Sequence, residues 1–344
     1  MTQLKITLMG VAPKVTETNP DAYNLFLQAR HLARQGATKA FEQSIALYEQ
    51  ALAIDPEYLA ALEGLAAVYC DQTDRGLRST AEGYALARKP ADKVLAIDPN
   101  YAKIHARIGL ITIINDHDLA AGARHLERAI ELDPLDLDIL GDVAFLAGDL
   151  GMLDEAIALL EYVVAHDPVN PRIHRRLGVS YQWAGRQDEA VTCFRTAMTL
   201  SPGQLGVGQL MGIALLMKGE PEAALTAMAS EPGGGYRQIG LAMAYHALGR
   251  ANESDAMLAE VIPMVEEVAS FNIAYVLAFR GEADRAFEWL EKAVGYNDTG
   301  LSQITNAPMF ANIHSDPRWL PFLEKLGKSP QQLAAIKFEF KLPD

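Results

Sequence analysis

The chain has 344 residues, half of them apolar and only 8% aromatic, with 44 acidic against 30 basic side chains and a formal net charge of −14. A duplex-binding surface needs Lys and Arg to displace counterions from phosphate, so so acidic a chain excludes nucleic acid as an expected direct partner. The apolar content is largely Ala and Leu, which suits closely packed helices better than sheets, and the expectation is an all-α protein.

Residues 1–20 read as an N-terminal extension. Its stretch LKITLM, residues 4–9, alternates apolar and polar side chains and predicts a short strand. It has no sustained apolar core or cleavage site, so no signal peptide is expected. No run in the chain is long enough to span a bilayer, and no membrane insertion is expected. The cysteines, Cys70 and Cys193, match no metal spacing and read as buried small hydrophobes.

From Asp21 a helical pattern begins, punctuated by prolines. Pro56, Pro99, Pro134, Pro168 and Pro202 follow one another at 43, 35, 34 and 34 residues, each after an apolar, Ala-rich stretch such as YEQALAIDP or LERAIELDP. Proline lacks an N–H and disfavours helix in the residue before it, so each marks a helix end. Gly151, Gly185, Gly219, Gly249 and Gly281 each stand five residues before a small slot in the next helix, which predicts a turn inside every repeat. The best-formed unit runs from Pro171 to Pro202. There Leu177, Gly178 and Tyr181 share one helix face, and Ala190, Phe194 and Ala197 share the other, with Gly178 and Ala190 small where the helices cross closely.

This order and spacing resembles the tetratricopeptide repeat, whose period is 34 residues. The resemblance implies a right-handed superhelical solenoid of about eight helix pairs over residues 21–295, followed by a C-terminal cap and tail over 296–344. The nine extra residues of the 43-residue interval are expected near Cys70–Tyr84, between the two helices of the second repeat. SEPGGGY, residues 230–236, forbids helix and predicts either an inter-repeat loop or a hinge. In the tail, residues 306–328 predict a turn and a short helix with Trp319, Phe322, Leu323 and Leu326 on its apolar face, capping the last repeat. IKFEFKL, residues 336–342, predicts a second terminal strand. Two such strands could pair with each other or with another protomer, which gives an expected route to a homo-oligomer.

The edges NPDAYNLFLQARHL and SDPRWLPFLEKLG sharpen the resemblance. They are similar to those of tetratricopeptide modules in bacterial multidomain signalling proteins, whose output domains are cyclase-like, kinase-like or winged-helix. None of those output domains is read in this sequence. Such relatives can lie beyond a membrane segment, so the cytoplasm is a default compartment and the periplasm its alternative.

The sequence carries no Gly-rich phosphate loop and no HExxH, CxxC or GxSxG motif. The cluster Asn115-Asp116-His117-Asp118 reads as a cap for the following helix rather than a metal site. Neither an enzyme nor a cofactor or metal is expected. In the resembling class the first helices line a concave groove. The repeat period places Phe145, Arg172, Arg175, Val179, Gln182, Trp183, Gln209, Ile213, Tyr236, Met243, His246, Phe271 and Tyr275 there. Aromatic, Met and Arg side chains are enriched at interfaces, and such a groove suits an extended peptide or a partner helix. Arg172, Arg175 and Arg176 could hold a partner's carboxylate or pair internally with Asp138 and Asp142. The places where chaperone-binding relatives carry a carboxylate clamp hold Ala106, Leu110 and Asp142 instead, so chaperone binding is not expected. The expected function is a protein–protein interaction scaffold; the alternative is a regulatory module whose output domain lies elsewhere.

Overall fold

The computed structural model describes residues 19–35, 38–74 and 77–342. Among them sixteen helices follow one another as eight pairs. These are α1 (Pro20–Gln35) with α2 (Thr38–Ile54), α3 (Leu59–Asp74) with α4 (Thr80–Ile97), α5 (Ala102–Ile114) with α6 (Leu119–Leu132), and α7 (Leu137–Asp149) with α8 (Leu153–His166). The series continues with α9 (Pro171–Trp183) and α10 (Gln187–Leu200), α11 (Val207–Met217) and α12 (Pro221–Ala229), α13 (Gly235–Ala247) and α14 (Ala251–Val265), and α15 (Ser270–Phe279) and α16 (Ala283–Gly295). Two 3-10 segments, Thr299–Gln303 and Pro308–Ile313, then lead to α17 (Trp319–Lys325) and α18 (Pro330–Ala334).

The turn within each of pairs four to eight has one physical cause. Gly151, Gly185, Gly219, Gly249 and Gly281 sit at φ between 72° and 82°, a left-handed conformation that a Cβ makes costly. The next amide then reaches back to a carbonyl of the last helical turn, as Arg186 N does to Tyr181 O at 2.8 Å and Glu220 N to Leu215 O at 2.9 Å. This satisfies carbonyls that a helix end leaves orphaned and reverses the chain in a few residues.

Within a pair, a small residue faces a large one. A Cβ on Gly178 would stand 2.7 Å from the Phe194 ring, and one on Gly212 would stand 2.5 Å from Met228. Ala190, Phe194 and Ala197 are all fully buried. The first helices of successive pairs, α5, α7, α9, α11, α13 and α15, lie side by side, and α2, α6, α8, α10, α12 and α14 each pack on the first helix of the next pair. No pair buries its apolar faces alone; stacking does it.

The chain divides into two compact units, residues 1–77 with 86–99, and residues 78–85 with 100–344. In the first, Phe26 packs on Tyr48 and Tyr58, and the Ser44 hydroxyl donates to Ala29 O at 2.8 Å, tying α2 to α1. The second contains two apolar clusters. One gathers α5 to α12 around Leu140, Leu160 and Phe194, and the other gathers α11 to α17 around Ile273, Leu290 and Phe310. The extra residues of the second repeat lengthen helices: α3 has 16 residues and α4 has 18, against 13 and 14 in the next pair.

Two expectations change. The described residues contain no strand. LKITLM lies outside the described residues, and IKFEFKL is irregular chain that folds onto its own molecule. Phe338 is buried there, with Leu333, Ile336 and Phe340 beside it against the first cluster, and Glu339 N donates to a Glu127 carboxylate oxygen at 2.9 Å. The alternation therefore records one buried side of an extended tail, and its packing removes the C-terminal strand from the expected homo-oligomer contact. The expected cap is present: Trp319, Phe322 and Leu323 of α17 are buried in the second cluster, with Leu326 packed beside them.

The small-against-large crossing generates a test. Gly178→Ala should lower stability by about 1–3 kcal/mol through overpacking against Phe194, and adding Phe194→Leu should recover part of that loss. Denaturant titration of the two variants measures both. A double variant no better than the sum of its single changes would show that the crossing is not the source of the strain.

Candidate functional site

The face made by the first helices is the natural place to look, and the structure splits the expected residues into two groups. Phe145, Arg172, Arg175, Val179, Trp183 and His246 are half-buried, and Tyr236 is exposed. Gln182, Gln209, Ile213, Met243, Phe271 and Tyr275 are buried. The second group packs the molecule's own interior, so as folded it offers no surface to a partner.

The burial has specific causes. Gln209 donates to the Tyr275 hydroxyl, a hydrogen bond from α11 across to α15. Gln182 donates to Leu210 O at 3.3 Å, joining α9 to α11. Phe271 is covered by residues after the last repeat: Gly300 lies so close that an added Cβ would be 2.4 Å from its ring, and Phe310 packs at 5.3 Å between centroids. Asp298 accepts from Phe271 N at 2.8 Å and from Gly300 N at 2.9 Å, pinning this cover to the start of α15.

The arginines of α9 are largely engaged at home. Arg176 donates to Gly141 O at 2.7 Å and to Asp142 at 2.8 Å, and its guanidinium lies 5.6 Å from the Phe145 ring centre. Burial, with the like charge of Arg172 next, pushes its pKa down to about 10. Arg172 reaches the same Asp142 oxygen at 3.3 Å and Asp138 at 4.0 Å. Of the two readings of this basic island, internal pairing is the one built for Arg172 and Arg176. Trp183, at the end of α9, lies over α7, its ring 3.2 Å from where a Cβ on Gly148 would stand.

Residues 230–234 of SEPGGGY form the loop between α12 and α13, Gly235 and Tyr236 already opening α13, and a residue unnoticed in the sequence organises the loop. Glu231 is fully buried, and its carboxylate accepts from the amides of Gly206 at 2.7 Å, Gly208 at 3.0 Å and Gln209 at 3.3 Å. A carboxylate on the exposed amides of a helix start is favourable for both hydrogen bonding and dipole. It holds the loop onto α11.

The largest departure from the expected open groove is a seam at which the segment after α16 meets the turns of the third and fourth pairs. His117 Nε2 and Asn297 Oδ1 are 2.7 Å apart, and Asn297 Nδ2 donates to Asn115 O at 3.0 Å. His117 and Asn297, both at φ 54°, are the non-glycine residues with positive φ among the described residues. Such backbone is sparsely populated outside glycine and persists where surrounding contacts hold it. Nearby, Asn306 Nδ2 donates to Gly148 O at 2.9 Å. Asp118, from the cluster read as a cap, accepts from Ala121 N at 2.8 Å at the start of α6, as expected.

Charges lie buried in this seam. Asp149, at the end of α7, is fully buried with neither carboxylate oxygen hydrogen-bonded, and burial raises its pKa to about 7 against a weaker lowering by Lys328. Lys328 is 2% exposed and donates to Ser302 O at 2.9 Å; burial lowers its pKa, and Asp149 opposes that shift. Burial also lowers His117 and His314. Nothing local in the sequence marks His117 or Asn306, because their partners, Asn297 and Gly148, lie 180 and 158 residues away along the chain.

The seam should leave a pH signature. The folded state keeps a proton on Asp149 that an unfolded chain releases near its ordinary pKa of 3.8, so this group costs stability as pH rises from about 4 towards 7 and above. The lowered imidazoles act oppositely, costing stability as pH falls through 6.5. Asp149→Asn should therefore gain stability relative to the parent at pH 8 compared with pH 5, by a few kcal/mol at most. Chemical denaturation at the two pH values measures it, and an unchanged difference between variant and parent would contradict the burial of an ionisable Asp149.

Comparison with known proteins finds likenesses over parts of the chain. The family model of the bacterial transcriptional activator domain matches residues 116–227, about a third of the chain. The transcriptional regulator HilA of Salmonella paratyphi A is 24% identical over 180 residues, which are 51% of this chain and 32% of that protein. The HilA proteins of Salmonella typhimurium and Salmonella typhi match to the same extent, so the chain spans about a third of the length of the curated relatives it matches. Among solved structures, PilW, a type IV pilus biogenesis factor, is 18% identical at a TM-score of 0.48, covering 70% of this chain and all of its own. A thermophilic tetratricopeptide protein of Thermus thermophilus is 22% identical at a TM-score of 0.46, covering 57% of this chain and 99% of its own. With helix pairs at the 34-residue period, left-handed turn glycines and small-against-large crossings all present in its own structure, the chain has the tetratricopeptide-repeat fold.

Proposed function

We propose that the chain is a protein–protein interaction module that holds a partner segment along the part of the first-helix face left accessible on α7 and α9. The observation that carries this reading is the residue set there: Phe145, Arg172, Arg175, Val179 and Trp183 each keep part of their surface exposed on two adjacent helices, Phe145 and Val179 while also packing on the first apolar cluster. Arg and aromatic side chains dominate binding energy at interfaces, and here they stand on rigid helices. The groups there that could recognise an acidic or carboxylate-bearing segment are Arg175 and Arg172, the latter with its guanidinium already 3.3 Å from Asp142. Of the thirteen groove positions read from the period, this proposal keeps those five, with Tyr236 and His246 at its edge.

A second reading is favoured by the match to the bacterial transcriptional activator domain and to HilA. In it the module serves a transcriptional regulator, and its partner is another protein of that machinery. The acidic charge of −14 supports contact through protein rather than direct contact with DNA. The default compartment under both readings is the cytoplasm; no helix among the described residues is long and apolar enough to cross a membrane.

Affinity capture from lysate of the source organism, with Arg175→Glu and Trp183→Ala run beside the parent, tests the site. Both variants should lose the specific partner by about tenfold or more while keeping the parent's helical content. Undiminished recovery in both would remove this face from consideration. DNA-binding regulators or polymerase subunits among the captured proteins support the second reading, and their absence removes it.

A further inference from the structure

The seam between the fourth pair and the C-terminal segment borders a solvent-open cleft of about 440 Å³, lined by Leu150, Leu323, Leu333 and Trp319 and by the polar groups of Thr305 and Lys328. That volume falls within the range of small-molecule sites, and the wall is mostly apolar with the polar groups of Thr305 and Lys328 set in it. His314 and Pro330 complete much of the wall.

The polar groups are under-used by the protein itself. The Thr305 hydroxyl is buried without a hydrogen-bond partner. The Lys328 ammonium has three donors and makes one hydrogen bond among the described residues, to Ser302 O. Asp149, the acid whose charge it feels, has both oxygens unbonded and does not line the cleft. A buried ammonium that makes no direct ion pair is expensive, and a ligand anion that reaches it would recover part of that cost. Trp319 forms the other end of the wall, its ring tilted against that of His314 with 4.7 Å between centroids. The cleft is therefore cationic at one end and apolar along its length.

We propose that this cleft binds a small amphipathic monocarboxylate, its carboxylate on Lys328 Nζ and Thr305 Oγ1 and its apolar body against Trp319, Leu150, Leu323 and Leu333. The lining comes from the turn of the fourth pair on one side and the C-terminal segment on the other. A bound acid thus bridges the two and strengthens their closure by mass action. This proposal does not depend on which partner the first-helix face holds.

The full chain, octanoate, octanol and octylamine provide the test, read by isothermal calorimetry and by Trp fluorescence. Octanoate should bind saturably and raise the midpoint of thermal unfolding, with octanol and octylamine weaker by about tenfold or more. Lys328→Gln and Thr305→Val should each weaken octanoate by about the same factor, with Thr305→Val deciding if Lys328→Gln fails to fold. Equal binding of octanoate and octanol would reduce the cleft to an apolar hole and overturn the proposal. Absence of saturable octanoate binding at millimolar concentration, or undiminished binding in Thr305→Val and in folded Lys328→Gln, would overturn it as well.

Discussion

Everything in this chain follows from the fact that one helix pair cannot bury its own apolar surface. The pair solves half of the problem internally, by setting Gly178 against Phe194 or Gly212 against Met228 so that two helix axes can approach. The other half needs a neighbour on each side, which is why the second helix of one pair packs on the first helix of the next. Turn glycines at a fixed place make successive pairs alike, and likeness makes the stacking regular. The array therefore has a cost at its end, where the last pair has no successor.

The C-terminal segment meets that cost in two ways. Helix α17 lays Trp319, Phe322 and Leu323 into the apolar cluster of the last pairs. The chain on either side of it then returns to the third and fourth pairs, with Asn297 on His117, Asn306 on Gly148 and Glu339 on Glu127. Within this unit the first-helix face is consequently closed at Phe271 and Tyr275 and accessible at α7 and α9. One element thus decides both where the repeat array ends and which part of its inner face is left for other molecules. It also assembles the cleft under Trp319 from parts of the chain far apart in sequence.

How much of this was legible in the sequence depended on range. The repeat rests on local rules: a helix stops before proline, and glycine turns where φ is positive. The turn glycines and the crossing at Gly178 accordingly stand where the period put them. The cap helix was legible for the same reason, since four apolar residues at helical spacing need no distant information. IKFEFKL failed because period-2 alternation reports one buried side and cannot say whether a strand partner or the flank of a helix array buries it. The groove was half legible. The period correctly assigns Gln209, Ile213, Phe271 and Tyr275 to first helices, but the hydrogen bond that joins Gln209 to Tyr275 and the segment that covers Phe271 are tertiary facts. Glu231, Asp149 and Lys328 look like ordinary surface charges in the sequence, and their burial is set by chain that arrives from elsewhere.

The central claim is that residues after the eighth pair hold the turns of the third and fourth pairs closed. Amide hydrogen exchange, compared between the parent and a chain carrying Asn297→Ala and Asn306→Ala, tests it most directly. The account predicts faster exchange in residues 113–119 and 147–152 and at the start of α15, with the first two pairs unchanged. Exchange in those segments as slow as in the parent would contradict it.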